Sequence, residues 1–352
     1  MTDVLEIDPE HPAPERIARA ADILRSGGLV AFPTETVYGL GAHALNVAAV
    51  RRIFTAKGRP AEDPLIVHVH DIHALDTLTK DRPAAVNALA ARFWPGPLTM
   101  VLRRSKSVPP EVTAGLETVA IRIPAHPIAF ALISAAAVPV AAPSANLFSR
   151  PSPTRAAHVL EDLDGRIDLL IDGGATTVGV ESTVVDLTAP TPTILRPGAV
   201  TLEMIRTVLP GVTLLNASAL ETGGAMKSPG LLSRHYSPRA ELILYEGPTR
   251  PVLERIIADA TAALARGQRA GVIAADEDEL EAVPASLRIV RLGPERDHHV
   301  LAANLYNTLR SLDAEGVDVI LARTFGDESG LAVAILDRLR RAAAGRIVLV
   351  RP

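Results

Sequence analysis

The chain contains no cysteine, and aromatic side chains make up only 3% of its 352 residues. Lack of cysteine excludes disulfides, thiolate metal sites and a cysteine nucleophile. Scarce aromatics mean cores built from Ala, Val, Leu and Ile. Long apolar runs are also missing: residues 129–142 are interrupted by Ser134 and Pro139 and fall short of the roughly 18 residues a membrane span needs. The first fifteen residues are acidic and carry no basic, apolar leader, so no export signal is expected. These features point to a soluble cytoplasmic protein without a membrane partner. Excess positive charge is lacking too. The formal net charge is −4 and neither half is basic, which argues against a polycationic nucleic-acid binder; any anion site must be a local cluster. There is no Walker A spacing and no Gly-x-Gly-x-x-Gly after a strand, so a bound nucleotide would rely on scattered Arg, Lys and Ser donors.

Proline, in contrast, is abundant, and 21 of the 28 prolines fall within residues 1–210. Such a segment consists of short elements joined by stiff corners, not of long helical bundles. Ile17, Ala21 and Leu24 share a helix face that stops at Gly27-Gly28. Strand patterns cover residues 29–32, 65–69, 98–102, 119–123, 138–142, 169–171, 183–187 and 193–195. Helix patterns cover 48–55, 84–93, 127–136 and 154–160. The alternation predicts a mixed α/β domain over residues 1–210 with one large twisted sheet and flanking helices. Residues 211–240 have no sustained period and read as a linker. Residues 241–352 show a βαβ rhythm, with strands at 242–245, 270–275, 288–292, 317–321 and 347–350 and helices at 252–265, 301–314 and 331–343. This predicts a smaller, Rossmann-like domain with a parallel sheet.

Polar side chains gather at predicted strand ends beside proline or glycine. In Phe32-Pro-Thr-Glu-Thr-Val-Tyr-Gly-Leu-Gly41 a buried strand runs into hydroxyls and a carboxylate, which suits a small polar ligand or an ordinary turn. Lys57 and Arg59 flank Gly58 in a loop stiffened by Pro60 and Pro64. They either complement the dipole of the preceding helix or form a phosphate clamp, with Asp63 holding a ligand donor or a neighbouring cation. His68 and His70 alternate on one strand and His73 follows, too few ligands on one face for a metal site; a hydrogen bond from His68 to a ligand carboxylate is the better reading. Arg122 lies inside an apolar strand and needs either an internal carboxylate or an anionic ligand. Further small donors follow at Ala142-Pro-Ser-Ala-Asn146, Ser152, Thr154 and Glu181-Ser-Thr183, and Arg196 ends a strand. Ser152 and Thr154 are equally readable as helix caps.

Taken together, Pro33-Thr-Glu-Thr-Val-Tyr-Gly-Leu40, Lys57-Gly-Arg-Pro60, Pro64-Leu-Ile-Val-His68, Trp94-Pro-Gly-Pro-Leu-Thr99, Arg122-Ile-Pro124, Ala142-Pro-Ser-Ala-Asn146, Glu181-Ser-Thr183 and Leu195-Arg-Pro-Gly198 resemble the threonylcarbamoyl-AMP synthase family with its YrdC-like catalytic domain. Ser228-Pro-Gly230 and His235-Tyr-Ser-Pro238 look like the linker of the family's long form. The resemblance implies condensation of L-threonine, bicarbonate or CO₂, and ATP to threonylcarbamoyl-AMP and pyrophosphate. Mg²⁺ would accompany ATP, and the product would go to tRNA threonylcarbamoyl transferase proteins that modify adenosine beside the anticodon. It further implies that Thr36, His68, Arg122, Ala142 (through its backbone) and Ser182 hold threonine. Lys57, Arg59, Asp63, Thr118, Ser144, Asn146, Ser152, Arg196, His235 and Tyr236 would face the nucleotide, the last two from a linker acting as a lid. Lys57, Arg59 and Arg122 are the expected catalytic residues, and no general base is evident. The C-terminal domain would pack against the first and help position that lid. Two other readings fit the sequence less well. A double-stranded RNA-binding or ribosome-maturation factor, contacting tRNA or duplex RNA, is disfavoured by the acidity and the lack of interleaved aromatics. A hydrogenase-maturation carbamoyl transferase would carry cysteine zinc-finger motifs.

Overall fold

The computed structural model describes residues 1–215, 236–280, 283–327 and 329–351. They fall into two compact units, Met1–Phe148 with Ser152–Leu231, and Ser149–Pro151 with Leu232–Pro352.

The first unit is built on eleven strands: β1 (Asp3–Glu6), β2 (Val30–Phe32), β3 (Gly39–His43), β4 (Ile66–His68), β5 (Leu98–Arg103), β6 (Thr118–Arg122), β7 (Val140–Ala141), β8 (Leu169–Asp172), β9 (Thr183–Asp186), β10 (Thr193–Arg196) and β11 (Thr213–Leu214). They form one mixed sheet in the order β1-β8-β2-β3-β7-β4-β6-β5-β9-β10-β11, the large sheet expected. Its helices are α1 (Pro14–Arg25), α2 (Val47–Lys57), α3 (Leu75–Leu78), α4 (Ala84–Phe93), α5 (Pro110–Thr113), α6 (Pro127–Ala136), α7 (Ala156–Leu163) and α8 (Leu202–Arg206). Local chemistry sets their ends. Pro14 and Glu15 open α1, and Ile17, Ala20, Ala21 and Leu24 form its buried stripe. The Asn46 side chain accepts from the Ala48 and Ala49 N–H groups at the start of α2, and Gly58 stops it in the left-handed region at φ 61°.

The sheet buries its two faces differently. One face carries the main core, with Leu40, Val67, Leu98, Met100, Ile121 and Val185 packed under residues of α2, α4 and α7. On the other face, α1 and α6 cover Val30, Phe32, Val140, Leu169 and Ile171. Further along that second face, Ile66, Val101, Ala120 and Val184 form a small apolar cluster of their own, with Leu195 against it. Side chains alternate across a strand. His68 and Arg122 are two residues beyond Ile66 and Ala120, so they project from the same face as this cluster, as do Thr99 and Ser182. The polar residues of interest thus share one stretch of sheet surface.

Several expectations need correction. Gly39–His43, which falls outside the predicted strand patterns, is a strand antiparallel to β2; its glycines hide it from a propensity-based reading. β1 was not foreseen, being short, acidic and at the sheet edge. β4 ends at His68, so His70, half-buried in a bend, does not share a strand face with it. The strand expected at 138–142 shrinks to two residues. α7 begins at Ala156 behind an Arg155 cap position without a side-chain bond. Ser152 and Thr154 therefore cap nothing. β11 extends the sheet into residues 213–214, inside the segment read as linker; the rest of that segment, residues 216–235, lies outside the described residues.

The second unit contains β12 (Glu241–Glu246), α9 (Thr249–Ala265), β13 (Ala270–Ala274), β14 (Arg288–Arg291), α10 (His298–Glu315), β15 (Val319–Arg323), α11 (Ala332–Ala343) and β16 (Ile347–Leu349). Its five strands are all parallel, in the order β14-β13-β15-β12-β16, as the βαβ rhythm predicted. A core of Tyr245, Val252, Ile256, Val272 and Leu321 holds α9 to the sheet.

Candidate active site

His68 and Arg122 pair in register across the parallel strands β4 and β6, both at strand ends and both buried. Two of the three guanidinium nitrogens of Arg122 are hydrogen bonded, and the third faces a carboxylate. Its Nε donates to the Gly96 carbonyl at 3.1 Å and its Nη1 to the Thr36 hydroxyl at 3.0 Å. Its Nη2 lies 2.6 Å from Oε1 of Glu35. Of the two partners the sequence left open for this arginine, the internal carboxylate is present. Burial, and next the charge of Arg122, hold the His68 imidazole down to about pKa 3, so it is neutral at working pH and offers one N–H donor.

The Thr36 segment is rigid. The Thr34 and Thr36 hydroxyls hydrogen bond each other at 2.8 Å, and the Thr34 hydroxyl donates to the Val37 carbonyl at 2.7 Å. Val178 and Gly179 N–H groups donate to the carbonyls of Glu35 and Thr36. Opposite, the Ser182 hydroxyl bonds Thr99 at 2.8 Å, while Arg196 Nε donates to the Ser182 carbonyl and Nη2 to its hydroxyl at 3.2 Å. Gly198 permits this arrangement. A Cβ there would meet Thr183 N at 2.5 Å and the Glu181 carbonyl at 2.6 Å.

The expected phosphate cations serve as internal braces. Lys57 is buried and its Nζ donates to the carbonyls of Ser144 at 2.6 Å and Asn146 at 2.5 Å. Arg59 folds back on its own loop, donating to the carbonyls of Asp63 and Pro64 and pairing with the Asp63 carboxylate at 2.9 Å. Asp63 therefore holds a neighbouring cation. Burial pushes its carboxyl up, against the pull of Arg59, Lys57 and Arg196, which puts all three cations within electrostatic reach of one carboxylate. The strand-end loop that Lys57 braces runs beside β3. Leu40 N–H donates to the Pro143 carbonyl, Ala145 N–H to that of Tyr38, and Gly39 bridges Ser144.

Other predicted residues are placed as follows. Ala142 N–H is taken by the Ile66 carbonyl, so its carbonyl is the backbone group it has to offer. Ser144 and Thr118 are half-buried, and Asn146 is buried with its amide donating to the Leu147 carbonyl. Thr118 shares the Arg122 face of β6 but sits about 13 Å away along the strand. Ser152 is fully buried and its hydroxyl donates to Glu181. His235 lies outside the described residues. Tyr236 belongs to the second unit, where its ring meets Tyr306 with centroids 5.5 Å apart and lies 5.3 Å from the Arg338 guanidinium carbon. In that unit Ser237 N–H also donates to the Ser149 carbonyl and Arg310 to that of Pro151. Glu35, Thr99 and Glu181 were not assigned in advance. Glu35 had a signal, a carboxylate between two hydroxyls in the quoted stretch; Thr99 and Glu181 lay in quoted motifs, with nothing local to mark their partners.

Comparison with known proteins places these features in a lineage. A family profile described as "Telomere recombination" matches residues 22–198. A second, "Threonylcarbamoyl-AMP synthase, C-terminal domain", matches residues 200–344. Among curated proteins, a threonylcarbamoyl-AMP synthase of Pyrococcus abyssi is 47% identical over 338 residues, covering 95% of this chain and 96% of the relative. One of Bacillus subtilis is 45% identical over 335 residues, covering 95% and 94%. The crystal structure of P. abyssi Sua5 complexed with L-threonine aligns with a TM-score of 0.92 at 45% identity, over 99% of this chain and 100% of that one. Escherichia coli YciO aligns at 0.51 with 27% identity, over 56% of this chain and 96% of that one.

Proposed function

The chain belongs to the threonylcarbamoyl-AMP synthase family, and from that premise we propose how its own residues divide the work. The protein is a nucleotidyltransferase that forms threonylcarbamoyl-AMP, with L-threonine as a substrate. In our reading it condenses L-threonine, bicarbonate or CO₂, and ATP. The threonine nitrogen bonds to the CO₂ carbon and loses a proton, giving a carbamate. A carbamate oxygen then attacks the α-phosphorus, and the bond to pyrophosphate breaks. The product would pass to tRNA threonylcarbamoyl transferase proteins for modification of the adenosine beside the anticodon, in the cytoplasm.

The observation that carries this reading is the shared sheet face on which His68, Arg122, Thr99 and Ser182 converge, with Thr36 hydrogen bonded to Arg122 and Arg196 to Ser182. Arg122 takes the threonine carboxylate and neutral His68 donates one further hydrogen bond to it. Thr36, Ser182 and the Ala142 carbonyl complete that pocket. The nucleotide lies toward Lys57, Arg59, Asp63, Thr118, Ser144, Asn146, Ser152 and Arg196. Carbamate and triphosphate are both anionic, so bringing them together needs positive potential. Lys57 supplies it from beneath the 142–146 loop, where burial makes a fixed charge act over a longer range than in water, while Arg59, paired with Asp63, stiffens the neighbouring loop. Mg²⁺ would accompany ATP and supply further positive charge, and no side chain is assigned to hold it. No side chain is cast as a base; positioning and electrostatics do the work.

The test is pyrophosphate release by the purified protein given ATP, Mg²⁺, bicarbonate and L-threonine. Release well above a control without threonine is expected. Equal release in both would end the reading.

A further inference from the structure

Glu35 is left over by the assignments above. Its side chain is 11% exposed and its Oε1 lies 2.6 Å from Nη2 of Arg122. Among the described residues, though, neither Glu35 oxygen nor that Nη2 takes part in an aligned hydrogen bond. The pair is held by charge alone, with the acceptor sites of the carboxylate and the donors of Nη2 unspent. Buried polar atoms left this way are costly unless a ligand completes them. The backbone beneath is fixed, because Val178 N–H donates to the Glu35 carbonyl at 2.8 Å and Arg122 Nη1 holds the adjacent Thr36 hydroxyl.

We infer that Glu35 receives the α-ammonium of L-threonine while Arg122 takes its carboxylate, an inference that rests on threonine docking at Arg122 as read above. An amino acid carries one carboxylate and one ammonium on a single carbon. Inserted at the Glu35–Arg122 pair, it exchanges one ion pair for two and leaves no buried charge uncompensated. A carboxylate ligand without the amine would set an anion beside Glu35 with nothing between them. Glu35 therefore selects for the group that must become the nucleophile and fixes where that nitrogen sits. The Ala142 carbonyl, to which no backbone N–H donates among the described residues, is a second acceptor suited to an ammonium.

The test compares L-threonine with 2,3-dihydroxybutanoate, in which a hydroxyl replaces the amine, by calorimetric titration of the full-length protein and of Glu35→Gln, with ATP as a control ligand. The wild type should prefer threonine by about 10-fold or more, the scale of one hydrogen bond to a charged group. Glu35→Gln should weaken threonine by a similar factor while leaving the analogue and ATP within about 3-fold of the wild type, a spread that ordinary context effects cover. Equal weakening of both acids would mean that Glu35 only positions Arg122, and would overturn the inference. So would a wild type that binds both acids alike, a result that needs no variant to fold. Glu35→Asp, which keeps the charge on a shorter arm, should lose affinity for threonine alone. A wild type that ignores threonine altogether would sink the underlying reading, and this inference with it.

Discussion

His68 and Arg122 stand opposite each other in two parallel strands, and the arginine's charge together with burial keeps the histidine neutral, at about pKa 3. In the unfolded chain the same imidazole titrates near its usual 6.5. Between these values the unfolded state binds the extra proton. His68 therefore costs nothing above pH 6.5, and stability is lost as pH falls below it, by up to about 1.4 kcal/mol per pH unit. Thermal unfolding midpoints measured from pH 7.5 to 5 should fall more steeply for the wild type than for His68→Gln. Parallel curves would contradict the placement. Threonine affinity, in turn, should show no step near pH 6.5 from this residue.

Arg122→Ala removes the partner of Glu35 and the donor to Thr36. A buried carboxylate left alone typically costs about 3–5 kcal/mol, so a lower melting temperature is expected. The threonine requirement should rise steeply in steady-state assays, with the ATP requirement little changed. A larger loss toward ATP than toward threonine would reassign the arginine to the nucleotide side.

Lys57→Met keeps the stem of the side chain and deletes the ammonium that ties Ser144 and Asn146. The buried Asn146 carbonyl and the half-buried Ser144 carbonyl then lose this donor, a penalty of about 1–3 kcal/mol for the buried one. Backbone amides of residues 144–148 should exchange faster in hydrogen–deuterium exchange, and KM for ATP should rise more than KM for threonine. Lys57→Arg should not rescue, because the planar fork does not fit a site built for a compact ammonium. Unchanged exchange in the methionine variant would show that the brace is dispensable.

Gly198→Ala places a methyl against the backbone of Glu181 and Thr183. Backbone cannot give way as a flexible side chain would, so a destabilisation of about 1–3 kcal/mol is expected, together with weaker threonine binding as Ser182 and Arg196 separate. Calorimetric unfolding and threonine titration of one preparation check both. A variant that melts with the wild type would mean that the loop yields.

Much of the fold was legible because it is locally encoded. α4 and α6 begin and end where the apolar period and the flanking prolines put them, and the second unit's strands follow an unbroken βαβ rhythm. The misses share one cause. β3 is glycine-rich and β1 is acidic, so neither has strand propensity; both are strands because neighbours complete their hydrogen bonds. In the site, small donors beside proline at strand ends were visible as motifs, and Arg122 announced by its apolar flanks that it needed a partner.

Partner identity was decided elsewhere. The sequence by itself determined the two α/β units, the stiff corners and the inventory of cations, hydroxyls and carboxylates, all properties of neighbouring residues. Only the tertiary structure paired Arg122 with Glu35, turned Lys57 and Arg59 inward as braces and left His68 neutral. Each of these outcomes depends on burial and on charges brought close by sheet order and register, which connect residues that no local pattern relates.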